Sequence, residues 1–512
     1  MQNNTKSSQY EEFAYSGKLA NIRKIKSQIA SDYQSQVYEA LDSKDFVSVI
    51  FAQKMIMHWL NSKLNYRLSI MDRNNQNLGL TIPKPWIKFF TNSYNVSRIR
   101  TLILYRCFLV FKILIAVLRS FTYLIPSNYH YYYKKIRSLR AQGNKFVLLN
   151  SNFQNPCIFD LNNNEKFCFS NWYKKYFQDT KIIFLHSIKT LKKNTSNDVL
   201  YFKKFPIKPS LLPKFFAQAS LVYFAAIKDL FAGSYKKIYC IEELIEDLRV
   251  KFTDQSFIPE AAVFNESNGV IRPVYTYQLE LRGSNVQFVT LSTSDSVVLQ
   301  GEKIDLFPWQ LSTWSQYFVY DNFQKSVIKK ALYGTAANIN VIGQIPFSFD
   351  IDFEINPRKK FIALFDITPK PFHYGSSSLN DIGSNSVDAW AHFLFQCLSI
   401  AKSLNIEILY KPKRAINRSD HGLQVSNILK EISSYEVFKI LNPNISTHRI
   451  IKDSIGVIST PVTTPAFIAL QLMIPSAFYC PSKKISISDP VFRGIPILRN
   501  DLELKKWMLD LL

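Results

Sequence analysis

Near its C-terminal end the chain runs from an apolar strand-like segment into hydroxyls and prolines and then into a helix pattern: ISTPVTTPAFIAL, Ile458–Leu470. Thr464 has the residue type of a helix N-cap and Pro465 suits the first helical position. Ser459, Thr460, Thr463 and Thr464 would then gather hydroxyls and free N–H groups around the positive end of a helix, which favours phosphate or a phosphosugar. An ordinary strand–turn–helix with a capping threonine accounts for Thr464 and leaves three hydroxyls without a role. A second cluster, ILYKPKR (Ile408–Arg414), is an apolar strand ending in Lys411, Lys413 and Arg414 around Pro412. At a strand's C-terminal tip these cations would face the same crevice as the hydroxyls. Lysine supplies point charge there, and arginine a planar fork for phosphate or carboxylate.

Other chemistry-bearing residues are weaker signals. His373, in the loop TPKPFHYG, could reach a ligand from a strand end, but an exposed loop histidine is the plainer reading. Asp350-Ile351-Asp352 matches the D-x-D pattern of metal-dependent enzymes, yet it sits in a segment without periodicity, and such pairs arise by chance. No catalytic metal and no cofactor are expected. The chain contains no G-x-x-x-x-G-K-[ST], G-x-G-x-x-G or G-x-S-x-G, which disfavours P-loop, dinucleotide and hydrolase chemistry.

The elements that must position these residues follow from pattern. At 512 residues the chain is long enough for two or three cores. Residues 1–140 read as a helical N-terminal extension. From 141 to 345, short continuous apolar runs alternate with helical or turn segments: Lys145–Asn150, Lys181–His186, Lys237–Leu244, Ala261–Asn265, Gln287–Ser292, Tyr317–Asp321 and Ile339–Gly343. Such runs fit buried parallel strands. Residues 344–360 read as a linker. From 361 to 512 the series restarts, with strands at Phe361–Asp366, Ile406–Lys411, Val437–Leu441, Ile455–Thr460 and Pro475–Cys480. Helices are expected near Val387–Ser403 and Gln424–Ser433, after Pro465, and at Leu502–Leu511. The fold class is α/β: two Rossmann-like, doubly wound domains facing a cleft.

The formal net charge is +24, which attracts nucleic acid, an anionic lipid surface or a phosphorylated substrate; a compositional bias toward lysine would supply part of it without function. Six scattered cysteines without C-x-x-C spacing fit a reducing, cytoplasmic compartment. The polar, acid-bearing start MQNNTKSSQYEEF lacks the pattern of a secretory signal. Leu102–Ile125 is apolar enough to span a bilayer, but Arg106, Lys112 and Arg119 interrupt it, each costing about 2.5–3.5 kcal/mol at a bilayer centre. A helix lying in the membrane interface, or packed on the protein body, fits better, giving a peripheral location at the inner face of the cytoplasmic membrane.

The run DSIGVISTPVTTPAFIALQLMIPSAFYCP (Asp453–Pro481) resembles the signature of the bacterial polysaccharide biosynthesis PFTS motif family, with Pro461-Val462-Thr463-Thr464 where that family has Pro-Phe-Thr-Ser. Val462 and Thr464 depart from the motif: threonine keeps the serine hydroxyl, and valine loses an aromatic wall. The resemblance implies a glycosyltransferase of the two-Rossmann-domain (GT-B) architecture, acting on a nucleotide-sugar donor and a surface polysaccharide or glycolipid acceptor. More distantly, a strand-end Lys411-Pro412 followed by a hydroxyl motif is similar to the His-Pro and Ser motifs of bacterial sialyl- and Kdo transferases. That likeness implies Lys411-Pro412 near the donor phosphate and Ser459 and Thr460 on phosphate or ribose oxygens, with a CMP-linked acidic sugar as one candidate donor. The missing histidine leaves CMP, UDP and GDP open.

An inverting, metal-independent transfer needs a carboxylate to take the acceptor's proton, presented by the first domain. Glu266, in FNESNGVIRP (Phe264–Pro273), stands after an apolar strand and looks like the acid-x-Gly turn of those transferases, with one residue inserted before Gly269. Glu260 and Glu280 are the alternatives, and a solvated turn glutamate is the plain reading. Two other functions compete: a polyol-phosphate transferase of the teichoic-acid type, and a basic RNA-binding protein. The second needs exposed aromatic platforms, whereas these aromatics fall inside apolar runs, so no nucleic-acid partner is expected.

Overall fold

The computed structural model describes residues 18–59, 87, 90, 96–123, 129–149, 169–179, 181–186, 199–202, 204–232, 236–265, 271–290, 306, 309–332, 336–343, 360–367, 369, 387–413, 418–443, 445–481 and 485–512. Two parallel sheets organise them. The first contains β1 (Lys145–Leu149), β2 (Ile182–His186), β3 (Val199–Tyr201), β4 (Ala261–Phe264), β5 (Asn285–Val289), β6 (Gln316–Val319) and β7 (Asn338–Val341) in the order β3-β2-β1-β4-β5-β6-β7. The second contains β8 (Phe361–Phe365), β9 (Glu407–Lys411), β10 (Phe438–Ile440), β11 (Gly456–Ser459), β12 (Ser476–Tyr479) and β13 (Ile497–Leu498) in the order β10-β9-β8-β11-β12-β13. Every pairing is parallel. In each sheet the order runs outward from the first strand to one edge and then resumes on the other side, the Rossmann arrangement.

Parallel strands are buried on both faces because their crossover helices cover both. In the second sheet, Ile362, Leu364, Ile408, Tyr410 and Ile458 face the Val387–Leu404 and Asp501–Asp510 helices, while Ala363, Phe365, Leu409 and Val457 face the side of Ile468 and Ala469. The first sheet is sandwiched in the same way.

Two expectations need correction. Lys237–Leu244 is helical: Lys236–Tyr239 and Ile241–Phe252 are helices. The buried residues Ile241, Ile245, Leu248 and Phe252 recur at three- and four-residue intervals, a helical stripe that the aromatic, β-branched run KIYCI obscures. Strands β3 and β13 were not expected; at three and two residues they are too short to show a period. Apart from Lys360, the stretch read as a linker lies outside the described residues.

The helices Lys18–Asp42 and Phe46–Trp59 pack on the first sheet's layer. Gln34 donates to the Ala331 carbonyl, buried Gln53 donates to the Leu311 carbonyl, and Phe46 stacks on Tyr277 with ring centroids 4.1 Å apart.

The halves meet beyond the C-terminal end of β6. Tyr320 joins a cluster with Val462, Ala466, Phe467 and Phe492. Arg493, held at φ 51° after a short 3-10 turn, donates to both Asp321 oxygens (2.6 and 3.1 Å), and its guanidinium lies 4.4 Å from the Phe323 ring and 4.5 Å from the Phe467 ring. A forked, ring-sandwiched guanidinium cannot be replaced by an ammonium without loss. Arg493→Ala should therefore weaken the union of the halves by roughly 1–3 kcal/mol, and Arg493→Lys should recover only part of it. Solution scattering and thermal unfolding check this: a larger radius of gyration or a split transition is expected, and an unchanged profile for Arg493→Ala contradicts it.

Candidate functional site

Where strand order reverses, successive crossovers leave on opposite faces, and a crevice opens outside the carboxyl ends of the two central strands. In the second sheet those strands are β8 and β11. The registers pair Phe365 with Lys411 on one side and with Ser459 on the other, so Lys411, Phe365 and Ser459 lie abreast at the sheet's C-terminal edge. Two strand spacings separate Lys411 from Ser459, about 10 Å, the scale of a diphosphate with its flanking groups.

The hydroxyls are in unusual surroundings. Ser459 is 0% and Thr460 5% exposed, and neither the Ser459 Oγ nor the Thr460 Oγ1 has a hydrogen-bond partner among the described residues. A buried hydroxyl without a partner costs about 1–3 kcal/mol, and two in succession at a strand end call for an explanation. Ser459 shares its sheet face with Val457, which packs near Ile468 and Ala469 of the helix Thr464–Gln471. Thr460 follows, with its backbone N–H 3.4 Å from the Phe365 carbonyl. Ser459 thus belongs with that helix.

The N-cap assignment shifts by one residue. Thr463, not Thr464, is the N-cap, with extended φ −93° and ψ 140°, and Thr464 and Pro465 open the helix. The Thr463 hydroxyl makes no capping bond; it donates back to the Thr460 carbonyl at 2.8 Å. That bond ties the turn together around Val462, which adopts the left-handed φ of 58°. The helix's N-terminal turn therefore keeps its positive end without a side-chain cap.

The cationic arm is set by a residue that sequence reasoning passed over. Asp366, immediately after β8 and 4% exposed, accepts from Trp390 Nε1 (2.6 Å), from the Tyr410 hydroxyl (2.6 Å) and from the Lys413 backbone N–H (3.2 Å). Burial raises its carboxyl pKa, an effect the bonds from Tyr410, Trp390 and Lys413 only partly offset. Burial first, and the neighbouring carboxylate second, hold the Tyr410 phenol far above its ordinary value, so it stays a donor. Asp366 thereby pins the turn Lys411-Pro412-Lys413 against β8. Lys411 and Pro412 are buried and Lys413 is exposed. An Asp closing an apolar strand, FIALFD, was the available signal.

Arg414, His373 and Glu266 lie outside the described residues, as do Asp350 and Asp352. The alternatives to Glu266 lie at the amino-terminal edge of the first sheet. Glu260 precedes β4, pairs with Arg140 and accepts from the Phe146 N–H at 2.7 Å. Glu280 pairs with Arg272 and accepts from Ser315, just before β6. Both sit beside strand starts, holding structure together. Glu266 follows the carboxyl end of β4, a central strand at the first sheet's own switch point. Among the described residues no group of three or more His, Cys, Asp or Glu could hold a metal ion.

A family model described as "Polysaccharide biosynthesis PFTS motif protein" matches residues 224–508. No curated protein matches in sequence. Among solved structures, the chain is similar to a Methanocaldococcus jannaschii UDP-GlcNAc 2-epimerase in complex with UDP-GlcNAc and UDP (11% identity, 72% of this chain, 92% of that one, TM-score 0.36). It is also similar to Anabaena HepE in complex with UDP and glucose (11%, 72% and 89%, TM-score 0.37). The wall teichoic acid polymerase TagF is a third (11%, 71% and 79%, TM-score 0.36). Likeness this loose transfers no residue.

Lys411→Ala and Ser459→Ala should each weaken binding of a phosphate-bearing ligand by about 1–3 kcal/mol, the worth of a charge-assisted hydrogen bond. Isothermal titration with nucleoside diphosphates, beside circular dichroism to verify the fold, measures it. Full affinity in both variants would remove the site from this edge.

Proposed function

The chain belongs to the polysaccharide biosynthesis PFTS motif family, its model spanning more than half of the residues, and on that premise we propose a glycosyltransferase whose second domain holds a nucleotide-activated sugar. One observation carries the reading: buried, unpartnered Ser459 and Thr460, an uncapped helix N-terminus and a lysine-bearing strand end converge at the strand-order switch point. A diphosphate or phosphodiester matches that set. Its oxygens accept from the hydroxyls and helix N–H groups, and its charge offsets the helix end and the lysines. Buried in the second sheet's edge, these donors are fixed before the ligand arrives, which favours the charge that grows on the leaving phosphate during transfer.

The first domain then supplies the acceptor side. Glu266 is the proposed base, taking the acceptor hydroxyl's proton as the oxygen attacks the sugar carbon from the face opposite the leaving nucleotide, with inversion. The acceptor is a surface polysaccharide or glycolipid at the inner face of the cytoplasmic membrane, and a CMP-linked acidic sugar remains among the candidate donors beside UDP- and GDP-sugars. The Arg493–Asp321 pair supports this division of labour, since it joins the end of β6 to Phe467 in the helix that opens at the site.

A thermal-shift and saturation-transfer NMR screen against CMP, UDP, GDP and CDP is expected to give a positive result with one nucleotide, and failure with all four removes the donor reading. With the donor known, Glu266→Gln should lower kcat by roughly 10²–10⁴-fold and leave donor affinity nearly unchanged, because the base contributes only to the chemical step. Wild-type turnover in Glu266→Gln would eliminate this base.

A further inference from the structure

Thirteen of the 24 exposed large apolar side chains among the described residues lie on two helices, eight on Arg98–Tyr123 and five on Leu212–Phe231. Both helices pack on the helices Lys236–Tyr239 and Ile241–Phe252 and touch each other near Tyr223. Tyr223 donates to Ser120 at 2.8 Å, the Phe121 and Tyr223 rings stack 5.8 Å apart, and Ile113 and Ala226 share a small core with Ile238 and Ile241. At about 100° per residue, the exposed apolar residues of each helix fall in an arc of about 140°, opposite the buried side. Phe111 is 60%, Leu118 70%, Leu221 65% and Phe224 69% exposed. A monomeric surface seldom concentrates apolar side chains in this way without a partner.

Charge identifies the partner. On the same projection Arg106 lies about 20° outside one rim of the first helix's arc, Arg119 about 60° outside the other and Arg100 within it, while Lys214 lies about 20° outside the second helix's arc and Lys228 within it. Against these stands a single carboxylate, Asp229, since residues 98–123 contain none. A symmetric pair of copies would bring like-charged rims together on a chain of net charge +24. An anionic leaflet takes both the apolar face and the cationic rim.

We propose that the paired helices Arg98–Tyr123 and Leu212–Phe231 form a platform that lies flat in the interface of an anionic lipid leaflet. They lie in it and do not cross it. The first helix is buried against the protein at Thr101, Leu109, Ile113 and Ser120, a stretch of about 30 Å at 1.5 Å per residue, and a helix tied along that length to a globular body cannot traverse hydrocarbon without drawing the body in. The second helix carries the docking beyond the segment recognisable from sequence. The platform is independent of the donor assignment and, joined to it, keeps the chain at the surface where a lipid-linked acceptor resides.

The test is flotation of the full chain with phosphatidylglycerol-containing vesicles. Wild-type protein is expected to float at low salt, weakly on neutral phosphatidylcholine, and to be released by alkaline carbonate. The double variant Phe111→Ser/Phe224→Ser should bind at least ten-fold more weakly, and Arg106→Ser/Arg119→Ser should lose the preference for anionic vesicles. Absence of flotation, equal flotation on neutral vesicles, carbonate resistance, or a wild-type response from the Phe pair each overturns the proposal. So does a dimer in light scattering that the Phe pair dissolves. Nucleotide binding in the same variants reports separately on the donor site, so either idea can fail alone.

Discussion

The reversal of strand order between β8 and β11 is the constraint on which the proposed nucleotide site depends. Right-handed crossovers force the helices of the two half-sheets onto opposite faces, and the carboxyl ends of the two central strands are left between them. The residues of the proposed anion site gather there: Lys411 one strand away on β9, Ser459 on β11, and the helix that starts after Thr463 to return across the sheet.

A strand-end site has to be stiff to be selective, and here buried polar groups supply the stiffness. Asp366 accepts three hydrogen bonds from groups on two other elements and fixes the β9 turn. The Thr463 hydroxyl, bonded to the Thr460 carbonyl, fixes the β11 turn and leaves the helix end uncapped. The two turns are held by different means and depend on the same pair of central strands. Phe467 then links the site to the other half: it lies in the helix that begins at the site and packs on the arginine that grips Asp321. Opening or closing of the halves would pull on that helix directly.

The sheet architecture was legible because a parallel strand, covered on both faces, is written as an unbroken apolar run; FIALF, EILYK and GVIS could be little else. Where apolar runs also fit a helix, as in KIYCIEEL, only the longer stripe through Phe252 decides, and a short window hides it. The candidate site was half legible. Hydroxyl and lysine clusters at strand ends stand out by type, and their register follows from topology. Asp366 showed only as an acid closing FIALFD, because its role depends on Trp390 and Tyr410, 24 and 44 residues away. The cap position was one residue off because a Thr-Thr-Pro run offers two caps of equal quality, and only the dihedrals distinguish them.

The most direct test of the site is a crystal structure of the full chain with a nucleoside diphosphate. The phosphates are expected between Lys411 and the first turn of the Thr464–Gln471 helix, with the Ser459 or Thr460 hydroxyl within hydrogen-bond distance of a phosphate oxygen. A nucleotide bound at the first sheet, at the amino-terminal edge of the second, or with both hydroxyls still unpartnered would contradict it.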